Sequence, residues 1–266
     1  MQNPRNNELI DYSLVRYDSL TNTFVDDHKF TSIECILKIY LNKNHLITSF
    51  CSPGDLEDLI IGMLAQMGKI RNFDDIISLE IEEIEDNFIA NVTTTEAAIK
   101  WSQSLSNEPR YFSAHKILTC DSTIFPKLSE NIKFHAKNIL DCADKLLSEL
   151  AATHGKTNGV HSGVIFDGQK ILAFREDIGR HNVFDKLYGW ALKNEIDITD
   201  KIIVFSGRCS SEMMMKLGRM GISSVAAKSV PTTLSINLAK KLGITLIARM
   251  APGSFCIYTN PERIII

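Results

Sequence analysis

From Arg175 to Lys186 the chain reads R-E-D-I-G-R-H-N-V-F-D-K, placing two arginines, a histidine, an asparagine, a glutamate and two aspartates around one glycine. Fourteen residues upstream ends T-N-G-V-H, from Thr157 to His161, and twenty residues downstream begins S-G-R-C-S-S-E-M, from Ser206 to Met213. Arginine binds phosphate and carboxylate through paired, charge-assisted hydrogen bonds, which makes Arg180 and Arg208 candidate anion ligands. His161 and His181 can bind phosphate, stack on a base or move a proton. Two plainer readings stand beside this one. S-G-R is also an ordinary turn with an exposed arginine, and Glu176 and Asp177 opposite Arg175 and Arg180 also make a buried ion-pair network that orients loops.

The flanking elements decide where such residues lie. Gly163 to Phe166, Asp167-Gly168 and Lys170 to Phe174 read as a hairpin with a D-G turn. Helical spacing from about Asn182 to Lys193 and from about Ser210 to Gly221 brackets a short apolar run at Ile202 to Phe205. Val225 to Ala227, a helix at Thr233 to Lys241 and a strand at Thr245 to Ala248 complete the alternation, which predicts a three-layer α/β domain. Ser206-Gly207-Arg208, Ser229-Val230-Pro231-Thr232 and Gly179-Arg180-His181-Asn182 then fall at strand ends and helix starts. Ligands gather there in open α/β sheets, and free backbone N–H groups favour phosphate. Ahead of this domain, Ile132 to Leu150 predicts one long amphipathic helix. The first hundred residues read as short strands around a helix after Ser52, with Ser52 as its cap and Pro53 in its first position.

Composition narrows the field. The 266 residues are 44% hydrophobic and 23% charged with a net charge of -3, so bulk charge gives no reason to expect nucleic-acid or anionic-membrane binding. No apolar run spans a bilayer and the N-terminus lacks a signal-peptide core, which places the chain in the cytoplasm as an expectation. In a reducing compartment the six cysteines default to small hydrophobes. Cys142, Cys35 and Cys256 read as core, Cys51 and Cys209 are open either way, and Cys120 lies in an irregular stretch between two better-patterned regions.

Taken together, F-C-S-P-G-D-L-E-D-L-I-I-G (Phe50 to Gly62), E-D-I-G-R-H-N-V-F-D-K, S-G-R-C-S-S-E-M-M-M-K, S-V-P-T-T-L and L-G-I-T-L-I-A-R occur in an order that resembles the formate dehydrogenase accessory protein (FdhD) family. The resemblance implies a cytidine-deaminase-like core and binding of the bis-molybdopterin guanine dinucleotide cofactor, with GDP as a mimic. It implies a sulfurtransferase role in which a cysteine desulfurase loads a persulfide on Cys120 for delivery to the cofactor of apo-formate dehydrogenase. Cys120 aligns with the first cysteine of the family's C-x-x-C, whereas the second position is Thr123 here. A non-catalytic, cofactor-binding chaperone is therefore the alternative. Zinc-dependent deamination, which the implied fold raises, is disfavoured: no histidine or cysteine is followed two residues on by glutamate, and no C-x-x-C occurs.

The expected architecture is a small β-rich domain (1–112), a mobile loop carrying Cys120 (113–128) and a deaminase-like α/β domain (129–266), working as a homodimer. The expected cofactor-binding residues are Gly159, His161, Asp177, Arg180, His181, Asn182, Ser206, Gly207, Arg208, Ser229 and Thr232. The resemblance adds Arg249, Met250, Ala251, Pro252 and Gly253, and no protein-held metal is expected.

Overall fold

A computed structural model describes residues 9–105 and 132–266. The loop assigned to 113–128, and Cys120 with it, lies outside the described residues.

The chain opens with a hairpin, β1 (Leu9–Asp18) and β2 (Thr23–Ser32), whose two faces are both largely exposed. A four-stranded sheet follows, built from β3 (Cys35–Leu41), β4 (Asn44–Cys51), β5 (Ile76–Ile84) and β6 (Asn87–Thr94) in the order β4-β3-β6-β5. The alternation in C-I-L-K-I-Y-L turns Cys35, Leu37 and Ile39 inward and leaves Lys38 exposed. Those side chains meet Leu59, Ile60 and Leu64 of helix α1 (Leu56–Gln66). Helix α2 (Glu96–Ser104) ends this part, its first turn capped by Thr95, whose hydroxyl accepts from the Ala98 N–H at 3.1 Å.

Ser52 does not cap α1. Asp55 precedes the helix with φ 52°, and its side chain makes no capping bond. Ser52 instead reaches the other half of the molecule: its N–H donates to Asp177 Oδ2 at 3.1 Å, and its hydroxyl accepts from the Ile178 N–H at 3.1 Å.

The second part begins with β7 (Phe134–His135) and helix α3 (Ala136–Lys145), which runs into a π-helical turn at Leu146–Leu150 and then α4 (Ala152–Thr157). There follow β8 (His161–Phe166), β9 (Ile171–Asp177), α5 (Arg180–Lys193), β10 (Ile202–Phe205), α6 (Ser211–Met220), β11 (Ser224–Ala227), α7 (Thr233–Leu242), β12 (Thr245–Ala251), β13 (Ser254–Ile257) and β14 (Ile264–Ile265), which pairs with β7. The six-stranded sheet runs β13-β12-β11-β10-β8-β9, with β10, β11 and β12 parallel and the remaining pairs antiparallel. Val183, Phe184 and Leu187 of α5, Met213, Met214, Met215 and Leu217 of α6 and Leu238 of α7 cover one face. Ile139, Cys142 and Leu146 cover the other, against Val164, Ile202, Val204 and Ala226. Side chains of opposite parity on each strand thus face different layers, as the alternation predicts. Cys256 departs from the core assignment: it sits on edge strand β13 and is exposed. No helix of the described residues is long and apolar enough to cross a membrane.

Helices α1 and α5 join the two parts. A Cβ added at Gly62 would lie 1.8 Å from the Asp185 carbonyl oxygen, and one added at Gly189 would lie 1.8 Å from that of Asp58. Backbones approach this closely only without side chains between them. Beside the crossing, Arg175 Nε donates to Asp58 at 2.9 Å and lies 3.4 Å from Asp55, while Lys193 pairs with Asp58 at 2.8 Å and with Glu57 at 2.9 Å. Arg175 therefore joins the two parts of the chain rather than pairing with Glu176 or Asp177.

Candidate functional site

Because β8 runs antiparallel to both of its neighbours, β9 and β10, one end of the large sheet carries the start of β8, the end of β9 and the ends of β10, β11 and β12. The starts of α5, α6 and α7 follow from those strand ends, so three positive helix termini face the same side. The ends are stitched together by backbone bonds. Ser206 N–H donates to Ser162 O at 2.9 Å, Ser229 N–H to Gly207 O at 3.3 Å, Arg249 N–H to Ser229 O at 3.5 Å and Met250 N–H to Lys228 O at 3.1 Å. The Ser206 hydroxyl accepts from Ser162 N–H at 2.8 Å. His161 stacks obliquely on Phe205, ring centres 5.7 Å apart, and a Cβ at Gly207 would meet its Nδ1 at 2.9 Å. Gly207 thus leaves room for the tilted imidazole over the strand end. Gly159, exposed, leads into β8 beside Ser32.

Arg180 and His181 begin α5. Arg180 Nε is buried and has no hydrogen-bond partner among the described residues. The same holds for Ser210 Oγ, the residue before α6, whose side chain does not cap that helix. Buried donors left open are costly in a folded chain and commonly mark a bound group. His181 Nε2 lies 3.2 Å from Glu212. Burial holds its pKa below the usual histidine value, and the positive charges of Lys216, Arg180 and His161 push the same way against the pull of Glu212. The side is therefore cationic, with a neutral imidazole at its centre near pH 7. Arg208 is exposed on this side.

Asp177 and Asn182 sit beneath this surface. Asp177 is fully buried and ion-paired with Lys186 at 2.8 Å; its carboxylate also accepts from Ser52 N–H, from Gly179 N–H and from Asn182 Nδ2, the last two at 2.8 Å. Asn182 Nδ2 donates further to Phe50 O at 2.8 Å. Both side chains are committed to holding the loop that presents Arg180 and His181. Thr232 is exposed, with its hydroxyl engaged with Ser235 in a capping box at the start of α7. Arg249 is exposed at φ 56°, where β12 breaks its register with β13. Such a bulge re-aims a side chain. Ala251 at the end of β12, and Pro252 and Gly253 in the turn that follows, are exposed, with Gly253 at φ 73°. From β8 to β12 the row crosses three strand spacings, roughly 14 Å. That span suits an extended ligand better than a single phosphate.

Residues 32–265 match the model of the FdhD/NarQ family. This chain belongs to that family. It is 34% identical over 264 residues to the sulfur carrier protein FdhD of Staphylococcus haemolyticus strain JCSC1435, covering 95% of each chain. It is equally identical over 265 residues to the protein of that name in Staphylococcus aureus strain Newman, again covering 95% of each. Its fold is shared by a protein of Desulfotalea psychrophila provisionally described as a formate dehydrogenase accessory protein: TM-score 0.78 at 24% identity, covering 97% of this chain and 99% of that one.

Several FdhD/NarQ-family residues here escape motif reading. Lys216 and Glu212, which bias His181, and Lys228, between the ends of β10 and β12, belong to quoted or adjoining blocks but carry no signal of their own. Phe50 and Ser52 contact the loop through backbone and hydroxyl groups, which residue type does not announce. A cavity of about 480 Å³ lined by Asn138, Asp141, Cys142, Lys145 and Lys170 lies at the opposite end of the sheet, near the β8–β9 turn.

Proposed function

We propose that this chain is a sulfur carrier that serves formate dehydrogenase, with Cys120 as the carrier thiol. In the first step a cysteine desulfurase persulfide meets the Cys120 thiolate. The terminal sulfur moves to Cys120, and the desulfurase is left with its thiol. The terminal sulfur of Cys120 would then pass to the bis-molybdopterin guanine dinucleotide cofactor, the substrate of this transfer, leaving the Cys120 thiolate; the two electrons that take sulfane sulfur to sulfide would come from the reduced metal of that cofactor, before insertion into the apo-enzyme.

The observation that carries the proposal is the row at the sheet end, the cationic Arg180, Arg208 and Arg249 beside the imidazoles of His161 and His181, with the Arg180 Nε donor buried and open. An anionic ligand with two phosphate-bearing arms suits both the charge and the roughly 14 Å span. Arg180 and Arg208 would hold phosphate. His161 and His181 would stack on, or hydrogen-bond to, the guanine. The relatives named sulfur carriers support the transfer step.

The test is loading with a cysteine desulfurase and cysteine, followed by mass mapping. Cys120 is expected to gain one sulfur atom, and Cys120→Ala to lose formate dehydrogenase maturation while keeping fold and GDP binding. Thr123, standing where a second cysteine would resolve a persulfide, favours a second reading as a binding-only chaperone. Full maturation with Cys120→Ala would establish that reading instead.

A further inference from the structure

Cys35 and Cys51 face each other across the β3–β4 ladder as register partners, and both are buried. Their sulfurs are 3.7 Å apart, and the Cys35 S–H donates to the Cys51 carbonyl at 3.1 Å. Directly opposed residues in an antiparallel pair have Cα atoms about 4.5–5.5 Å apart, inside the range a disulfide bridges, and an S–S bond is about 2.05 Å. The sulfurs therefore need approach by only about 1.7 Å. β4 is an edge strand, so its end can move without breaking a second ladder.

The position of this dithiol gives it a consequence. Phe50 O accepts from Asn182, Ser52 N–H donates to Asp177, and Ser52 Oγ accepts from Ile178 N–H. Cys51 lies between the two residues that clip the loop leading into Arg180 and His181.

We propose that Cys35 and Cys51 are an oxidation site, which hydrogen peroxide converts to a disulfide that loosens the clip on the Asp177–Asn182 loop. The Cys35 thiolate attacks the O–O bond, forming a sulfenic acid and expelling hydroxide. The Cys51 thiol then attacks the Cys35 sulfur, its proton passing to the departing second hydroxide. The two protons lost by the thiols complete two waters, and the two sulfurs give up two electrons. Cys35 is the attacking thiol: the hydrogen bond from Cys51 holds its pKa below the ordinary cysteine value, while the same bond and burial push Cys51 up. Burial raises Cys142, to about 12, and Cys209 as well, which keeps those thiols protonated.

The experiment treats the full chain with hydrogen peroxide, alkylates remaining thiols, and maps peptides without reduction. A parallel sample is followed by hydrogen exchange. A Cys35–Cys51 linked peptide is expected, reversible by dithiothreitol, missing in Cys51→Ser and in Cys35→Ala, and accompanied by faster exchange at the Ile178 and Gly179 amides. Two variants are used so that one misfolded control does not decide the result. Both thiols remaining alkylatable at a peroxide dose that oxidises exposed Cys256 overturns the site. A linked peptide with unchanged exchange at Ile178 overturns its coupling to the loop. Neither readout requires cofactor or sulfur transfer, so failure here is separable from failure of the carrier proposal.

Discussion

Lys186 and Asp177 meet at 2.8 Å with neither side chain exposed to solvent. Lys186 Nζ also donates to the Glu176 carbonyl at 3.0 Å, and Asp177 accepts from three further N–H groups, so the charges are held by bonds as well as by each other. Removing one partner of such a pair leaves an uncompensated buried charge and costs about 3–5 kcal/mol. Lys186→Met is expected to lower stability on that scale in urea unfolding. Lys186→Met with Asp177→Asn should recover part of it, because the amide needs no counter-charge.

Gly189→Ala should destabilise the chain by about 1–3 kcal/mol net of the better helix propensity of alanine. The added Cβ would fall 1.8 Å from Asp58 O, and backbone cannot yield as a side-chain tip can. Gly155→Ala is the matched control, since nothing lies within 4 Å of the Cβ it would add. Thermal melts of the two variants should move in opposite directions, and a neutral Gly189→Ala would mean the helix pair is looser than described.

His181 should titrate below the ordinary histidine value of about 6.5 in a proton NMR titration. The sign for stability follows from the depressed pKa. Below about pH 6.5 the unfolded chain takes up a proton that the folded chain resists, so this residue's contribution is present above that pH and is lost as pH falls toward the folded pKa. His181→Gln should flatten the stability change between about pH 7.5 and about pH 5.5. A steeper slope in the variant would contradict the assignment.

Arg208→Ala should weaken GDP binding by about 1.5–3 kcal/mol, the scale of a hydrogen bond to a charged group. Arg180→Ala should do at least as much, because its buried Nε has no other partner among the described residues. Calorimetry at two salt concentrations checks this. Unchanged affinity in both variants would remove nucleotide from the sheet end.

The sequence makes the second half legible because its signals are local. Asp167-Gly168 sets a hairpin turn, Gly221 and Gly243 end helices at φ 76° and 68°, and buried runs such as Ile202 to Phe205 leave little choice of element. Long-range partners are not legible in this way. Ser52 looks like a helix cap from its neighbours, but its hydroxyl serves Ile178, 126 residues away. Cys256 has a strand's neighbours, but its exposure follows from β13 lying at the sheet edge, a matter of strand order. The candidate site shows the same division. His161, Arg180, His181 and Arg208 could be named from residue type and strand-end position. That Asp177 and Asn182 support the loop from below, and that Arg249 is turned by a bulge, depends on the packed structure.

The α1–α5 crossing also orders events during synthesis. Asp58 is made 117 residues before Arg175, its ion-pair partner, and α1 carries a second buried face that packs against α5. At about 5–20 residues per second, roughly 6–23 seconds separate the two on the ribosome. During that interval the emerging N-terminal sheet presents an uncovered helix face to chaperones and to neighbouring chains.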